Sequence, residues 1–340
     1  MAAVRDYVRP TESPKPSIKM GLSSQKTRSS QPQLQTEREY EQQIIALLAA
    51  EDYDGLELAA RDARTSRARI VGGVWQLYDF YDALCRPPLE QHVTEADWND
   101  YVETIKRWNS ARPESATARI VLAGTYAGFA WFARGGDYAP NVSRTGWKLF
   151  GERFELVKAT LLEAARLKDK CPYWFELVQT TALAEGWDRS LVKETLDKAI
   201  AFEPTYYHFY REYANYLQPK WYGRRGETQR FGEQIANRLG GDDGDIIYFE
   251  IAGVVACQCQ SQKTPLEDLS WPRIQLGYIA LRQRYGISSL KLNRYALMAY
   301  SSDDKVAANQ AFAEIGEDWD HDVWKNQKTF EDAKAWAASQ

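Results

Sequence analysis

The segment Ala165-Arg-Leu-Lys-Asp-Lys-Cys-Pro-Tyr-Trp174 returns in looser form as Ala199-Ile-Ala-Phe-Glu-Pro-Thr-Tyr206. In both copies a small alanine closes one helix and a proline opens the next. The alanines stand 34 positions apart (165 to 199) and the prolines 32 (172 to 204). A period of 34 is that of tetratricopeptide helix hairpins, in which a small residue lets two helices cross closely. The mismatch between the spacings makes the repeat irregular. Outward from this pair, Pro204 and Pro219 bracket an aromatic helix in which Tyr206, Phe209, Tyr210, Tyr213 and Leu217 supply the apolar positions. His208, Arg211, Glu212 and Asn215 fall on one stripe at helical spacing. Beyond Pro219 comes the turn Trp221-Tyr-Gly-Arg-Arg-Gly226.

The bulk numbers agree with an extended array. A chain of 340 residues exceeds the usual size of a single core, so it forms either two domains or a repeat array. A net charge of -4 offers no general attraction for nucleic acid or anionic lipid, and neither nucleic-acid binding nor membrane insertion is expected. No run reaches the roughly 18 apolar residues of a spanning helix; the nearest, Ile246 to Cys257, is too short and contains Glu250. The first residues lack the apolar core of a secretory signal, so a cytoplasmic location is expected. Cys85, Cys171, Cys257 and Cys259 are too scattered for a disulfide framework. Two positions apart on a helix, Cys257 and Cys259 face different ways and cannot chelate together, so no zinc and no cofactor are expected.

Residues 1–35 are rich in Ser, Gln and Pro and read as a disordered, mildly basic tail, with Arg5, Arg9, Lys15, Lys19, Lys26 and Arg28 against Asp6 and Glu12. Residues 36–265 form the helical repeat region. Thr36 and Glu39 make a capping box, Asp54 and Glu57 are expected to cap the second helix, and Thr94 a later one. Ala116 to Arg134 is a small-residue helix suited to close backbone approach, ended by Gly135-Gly136. The run Val74 to Leu84 is apolar enough to be buried on two sides. Asp245 is expected to cap the helix that runs to Cys257. Residues 266–340 supply further helices as a C-terminal extension or cap. No segment alternates at period two for long enough to build a sheet, so the fold class is all-α, a tetratricopeptide-like α-solenoid of about six or seven helix pairs.

Ser115-Ala-Thr-Ala-Arg119, Ala130-Trp131, Arg134-Gly135, Cys171-Pro-Tyr-Trp174, Gly186-Trp187 and Tyr216-Leu-Gln-Pro-Lys-Trp-Tyr-Gly-Arg-Arg-Gly-Glu227 together resemble an uncharacterised bacterial helical-repeat family. That family carries a domain of unknown function and is related to tetratricopeptide solenoids. The resemblance covers roughly residues 72–251. It implies an all-helical solenoid and supplies no catalytic residues.

A solenoid groove recognises peptides or partner surfaces. Its expected binding residues are His208, Arg211 and Glu212 on the stripe, with Trp221, Arg224 and Arg225 at the turn, where rings and guanidinium groups could stack or pair with an acid. The turn also has a purely structural reading, as a packed corner between repeats. Glu250 inside an apolar helix needs a partner, and Arg224, Arg225 or Arg230 are candidates. The alternative function is a hydrolase or other enzyme with an aromatic, carboxylate-bearing pocket, using Glu250 and His208 in acid-base roles. Asp318, Asp320 and Asp322 begin like an EF-hand loop, but Val323 replaces the required glycine and Thr329 the final glutamate, so no metal is expected there.

Overall fold

A computed structural model describes residues 35–88, 92–256, 266 and 268–339. The expected tail, apart from Gln35, and Cys257 and Cys259 lie outside these residues. Among the described residues there are sixteen α-helices and no strand, so the protein is all-α.

Local chemistry sets where the helices begin. Thr36 accepts the Glu39 N–H at 3.3 Å while the Glu39 carboxylate accepts the Thr36 N–H at 2.9 Å, and this box opens α1 (Glu37–Ala49). The cap of α2 (Tyr53–Ser66) is Asp52, whose carboxylate accepts the Gly55 N–H at 2.9 Å. Asp54 and Glu57, expected in that role, lie inside the helix and bind across to later residues. Asp54 pairs with Arg112 at 2.7 Å, and Glu57 accepts the Trp108 indole N–H at 3.2 Å. After α3 (Gln76–Leu84), buried on two sides as its composition requires, Thr94 opens α4 (Glu95–Ala111) with a second capping box. The small-residue helix is α5 (Ala116–Arg134), and its glycines have a visible cause. A Cβ on Gly124 would stand 2.1 Å from the Cys85 Sγ, and one on Gly128 2.8 Å from the Cys85 carbonyl oxygen.

The following helices are α6 (Arg144–Arg166), α7 (Pro172–Glu185), α8 (Arg189–Phe202), α9 (His208–Tyr216), α10 (Glu227–Leu239) and α11 (Gly241–Ala256). The last begins at Gly241, so Asp245 is not its cap; it pairs instead with Arg273 of α12 (Trp271–Tyr285) at 3.0 Å. Then come α13 (Ser289–Ser301), α14 (Lys305–Ile315), the short α15 (His321–Trp324) and α16 (Gln327–Ala338). Asp320 of the EF-hand-like run caps α15 through the Val323 N–H at 3.0 Å.

The packing follows an alternating order. From α3 onward the odd-numbered helices α3, α5, α7, α9, α11 and α13 touch in sequence, each beside the next. Helices α4, α6, α8, α10 and α12 each pack on at least one of these, so the odd-numbered row has a second layer outside it. The repeated alanines, Ala165 and Ala199, are both buried at the ends of outer-layer helices, α6 and α8. Pro172 starts α7 and Pro204 lies in the turn before α9, where a missing N–H costs nothing. Wide rings fill the space between layers: Trp75, Trp108, Tyr81, Tyr206, Tyr210 and Phe154 are fully buried. Each such ring removes roughly 150–250 Å² from water, on the order of 4–6 kcal/mol of hydrophobic stabilisation before entropy.

Residues 67–75, between α2 and α3, tie the early helices to the late ones. The Gly72 N–H donates to the Tyr285 carbonyl at 3.1 Å. The Arg69 guanidinium and the Trp75 indole N–H both donate to the Thr205 carbonyl, each at 3.0 Å. Arg69 also lies over the rings of Trp75, Tyr207 and Tyr285. Gly72 and Gly73 have φ of 84° and 77°, which only glycine adopts without strain, and a side chain on either would strike Ser288 or Tyr285.

Candidate functional site

Helix α9 lies between α7 and α11, and its stripe faces neighbours from several directions. His208 is buried with its imidazole stacked on the Tyr78 ring, centroids 3.7 Å apart and planes 13° from parallel. Burial pushes its pKa well below the usual imidazole range, and the charges of Arg211, Lys291 and Arg69 act the same way. The ring is therefore neutral at pH 7. Arg211 donates to one Glu250 oxygen at 3.0 Å, and Lys291 from α13 donates to the other. The Lys291 ammonium also donates to the Gly72 carbonyl at 2.5 Å.

The partners of Glu250 are thus Arg211 and Lys291, in place of the expected Arg224, Arg225 or Arg230. Arg224 and Arg225 lie between α9 and α10 and Arg230 on α10; α10 packs on α11 as well, but the Glu250 carboxylate is taken up by the cations of α9 and α13. Burial raises the Glu250 pKa, but Lys291 and Arg211 outweigh it and hold the group below the ordinary glutamate range. Both carboxylate oxygens of Glu250 are engaged in ion pairs, and the neutral His208 ring is held against Tyr78. The triad is a clasp joining α9, α11, α13 and residue 72.

Glu212, next on the stripe, faces Glu176 of α7. Glu176 is buried and accepts the Tyr206 hydroxyl at 2.8 Å. Burial and then the Glu212 charge raise its pKa well above the ordinary range, with Tyr206 opposing; burial likewise raises Glu212, with Arg211 opposing. Glu176 is buried and Glu212 half-buried, and the loss of water favours the protonated form of both. Tyr78 touches the same neighbourhood, with its ring 6.2 Å from that of Tyr173 on α7.

A second cluster lies at the α1–α3 contact. Asp79 of α3 is 1% exposed, and neither carboxylate oxygen has a hydrogen-bond partner. Its pKa is pushed up to about 8, first by burial and then by Glu37, Glu41 and Asp82, with Lys291 opposing. Glu37, Glu41 and Asp82 are themselves raised, each first by burial. Glu37 also feels Lys291 and Arg294 of α13, so the face running from α1 and α3 to α9 and α13 is one electrostatic neighbourhood.

The turn residues stand elsewhere. They follow the end of α9 at Tyr216 and pack toward α5, α7 and α8, whereas His208 and Arg211 meet α3 and α11. Trp221 is half-buried edge-on against Trp131 of α5, with centroids 5.9 Å apart. The Tyr222 hydroxyl donates to the Leu183 carbonyl at 2.9 Å, and its ring stacks on Tyr216. Arg189 binds the Tyr222 carbonyl at 3.3 Å and Glu227 at 3.0 Å, while the Arg224 N–H donates to Glu227 at 2.9 Å. This is a packed corner between α9 and α10. A Cβ on Gly223 would stand 1.7 Å from the Leu217 carbonyl oxygen, so the turn must open to admit one. Gly223→Ala should cost about 1–3 kcal/mol in urea unfolding; a midpoint equal to that of wild type would refute the tight corner.

The expected binding residues therefore divide into an inner group, His208, Arg211 and Glu212, and a corner group, Trp221, Arg224 and Arg225. Glu176, Asp79 and Lys291 were not foreseen. Glu176 and Asp79 had the signal that exposed Glu250, a charge inside an apolar run. Among the described residues no group of three or more His, Cys, Asp or Glu is placed to hold a metal ion, and no helix is long and apolar enough to cross a membrane. Burial raises the thiol pKa of Cys85 and Cys171, so neither is poised as a nucleophile. Comparison of the chain with protein-family models, with curated proteins and with solved structures finds no match.

Proposed function

We propose that the protein is a tetratricopeptide-like α-solenoid, akin to the bacterial helical-repeat family it resembles, that binds a peptide or a segment of a partner protein along its inner helix row. The observation that carries this is the half-buried polar face shared by Tyr78, Asp82, Arg211, Glu212, Asn215 and Arg294 on three helices of the row, α3, α9 and α13. Incompletely solvated polar groups lined up across several helices are what a partner can engage. Binding is favoured over turnover because Glu250 and His208 are held, the one in ion pairs and the other against Tyr78.

Affinity capture from native cell extract tests this. The full chain should retain a reproducible partner set that Glu212→Gln with Asn215→Ala loses, while the thermal midpoint of the variant stays within a few degrees of wild type. Capture of the same set by both proteins would place the binding surface elsewhere.

A further inference from the structure

We propose that the patch formed by Glu37 and Glu41 of α1 with Asp79 and Asp82 of α3 is a binding site for an organic cation, an ammonium or guanidinium carried on a flexible stem. The inference rests on the reading of the inner row as a binding face and names the chemistry of what one end of it takes. The carboxylates converge from two packed helices, and the innermost, Asp79, is out of water with both oxygens unpartnered. A buried polar group without a partner is costly, and a donor brought by a ligand relieves that cost.

The chain itself shows how a guanidinium engages this patch. Arg86, its side chain 60% exposed, lies 2.8 Å from Asp82 and 3.6 Å from Glu41. Arg86 thus pairs with two of the four carboxyl groups. The other cations that face it come from α13: Lys291, already bonded to Glu250 and Gly72, and Arg294. Tyr40 faces Asp79 from α1 and adds no positive charge. The carboxylates are also too dispersed to chelate, since no three acidic, histidine or cysteine groups among the described residues are placed for a metal ion. Several separated acceptors suit a cation with several N–H donors better than a compact ion.

The cation could come from a free polyamine or from Lys and Arg side chains of a peptide, and the test separates the two. Calorimetric titration of the full chain at low salt would use spermidine, an arginine-lysine hexapeptide, a glutamate hexapeptide and magnesium chloride. Spermidine or the basic hexapeptide should bind, and the acidic hexapeptide and magnesium should not. Asp79→Asn and Glu37→Gln should each weaken the interaction by at least about tenfold. Binding of spermidine alone would assign a free amine, and binding of the hexapeptide alone a peptide side chain. Equal affinity in wild type and both variants, or competition by magnesium at equal concentration, would overturn the site. Cation binding that fails while extract capture still depends on Glu212 and Asn215 sinks this inference alone. If capture is also independent of Glu212 and Asn215, the binding-face reading falls with it.

Discussion

Glu250→Ala is expected to lower the unfolding free energy by about 3–5 kcal/mol, because it removes the counter-ion of the buried Lys291 ammonium and one of the partners of Arg211. Lys291 and Glu250 are 5% and 7% exposed at the side chain, so water cannot replace the lost carboxylate. The favourable attraction of such a cluster is largely cancelled by desolvation, and its removal is costly mainly through the buried Lys291 charge left without its counter-ion. Glu250→Leu combined with Lys291→Met should therefore recover most of the loss, with Arg211, whose side chain is 23% exposed, able to turn toward solvent. Urea unfolding of wild type, single and double variants measures this. A local readout goes with it: the Gly72 amide, bonded to Tyr285 while Lys291 holds the Gly72 carbonyl, should exchange faster in Glu250→Ala than amides of α5. The pH dependence also has a definite sign. Since the folded group is held below its ordinary range, the wild-type advantage is full above the unfolded glutamate pKa and fades as pH falls through the acid range. A single-variant loss under about 1 kcal/mol would mean that the clasp does not close the structure.

What the sequence disclosed and what it withheld divide along the range of the interactions. The limits of α5, the Thr36 capping box, the Thr94 cap and the Pro172 helix start depend on contacts within a few residues, and all are legible in order. Asp52 and Asp54, two positions apart, offer the same capping chemistry, and only the tight turn at Glu51, with φ of 51°, selects Asp52. The start of α11 was displaced in the same way, since a double glycine reads as a helix stop and here its second member begins the next helix. The clasp is a different matter. Lys291 is 41 positions from Glu250 and 219 from Gly72, and no local pattern links them. A charge in an apolar run announces that a partner exists, as Glu250, Glu176 and Asp79 do, but its identity is decided by which helices touch. For Asp79 the fold answers with further carboxyl groups.

That answer leads to an unusual expectation, a stabilising substitution whose benefit grows with pH. Asp79 faces Tyr40, Glu37 and Glu41 from α1, Asp82 on its own helix and, as the one favourable charge, Lys291 from α13. Its folded pKa is about 8, whereas an unfolded aspartate titrates near about 3.9. Between these values the folded protein keeps a proton that the unfolded chain releases, so wild-type stability declines as pH rises through this window and levels off above it. Asparagine has nearly the same shape and no charge to desolvate. The Asp79→Asn profile should therefore meet wild type near about pH 4–5 and lie above it by about 2–5 kcal/mol near pH 8, at about 1.4 kcal/mol for each pH unit between the two titrations. Glu37→Gln, which removes the largest charge contribution after burial, should shift the profile in the same direction by less. Thermal unfolding from pH 4 to 9 for the three proteins decides it. Parallel curves for Asp79→Asn and wild type would show that Asp79 finds a partner or water in solution, and would remove the strongest physical reason for a cation to bind between α1 and α3.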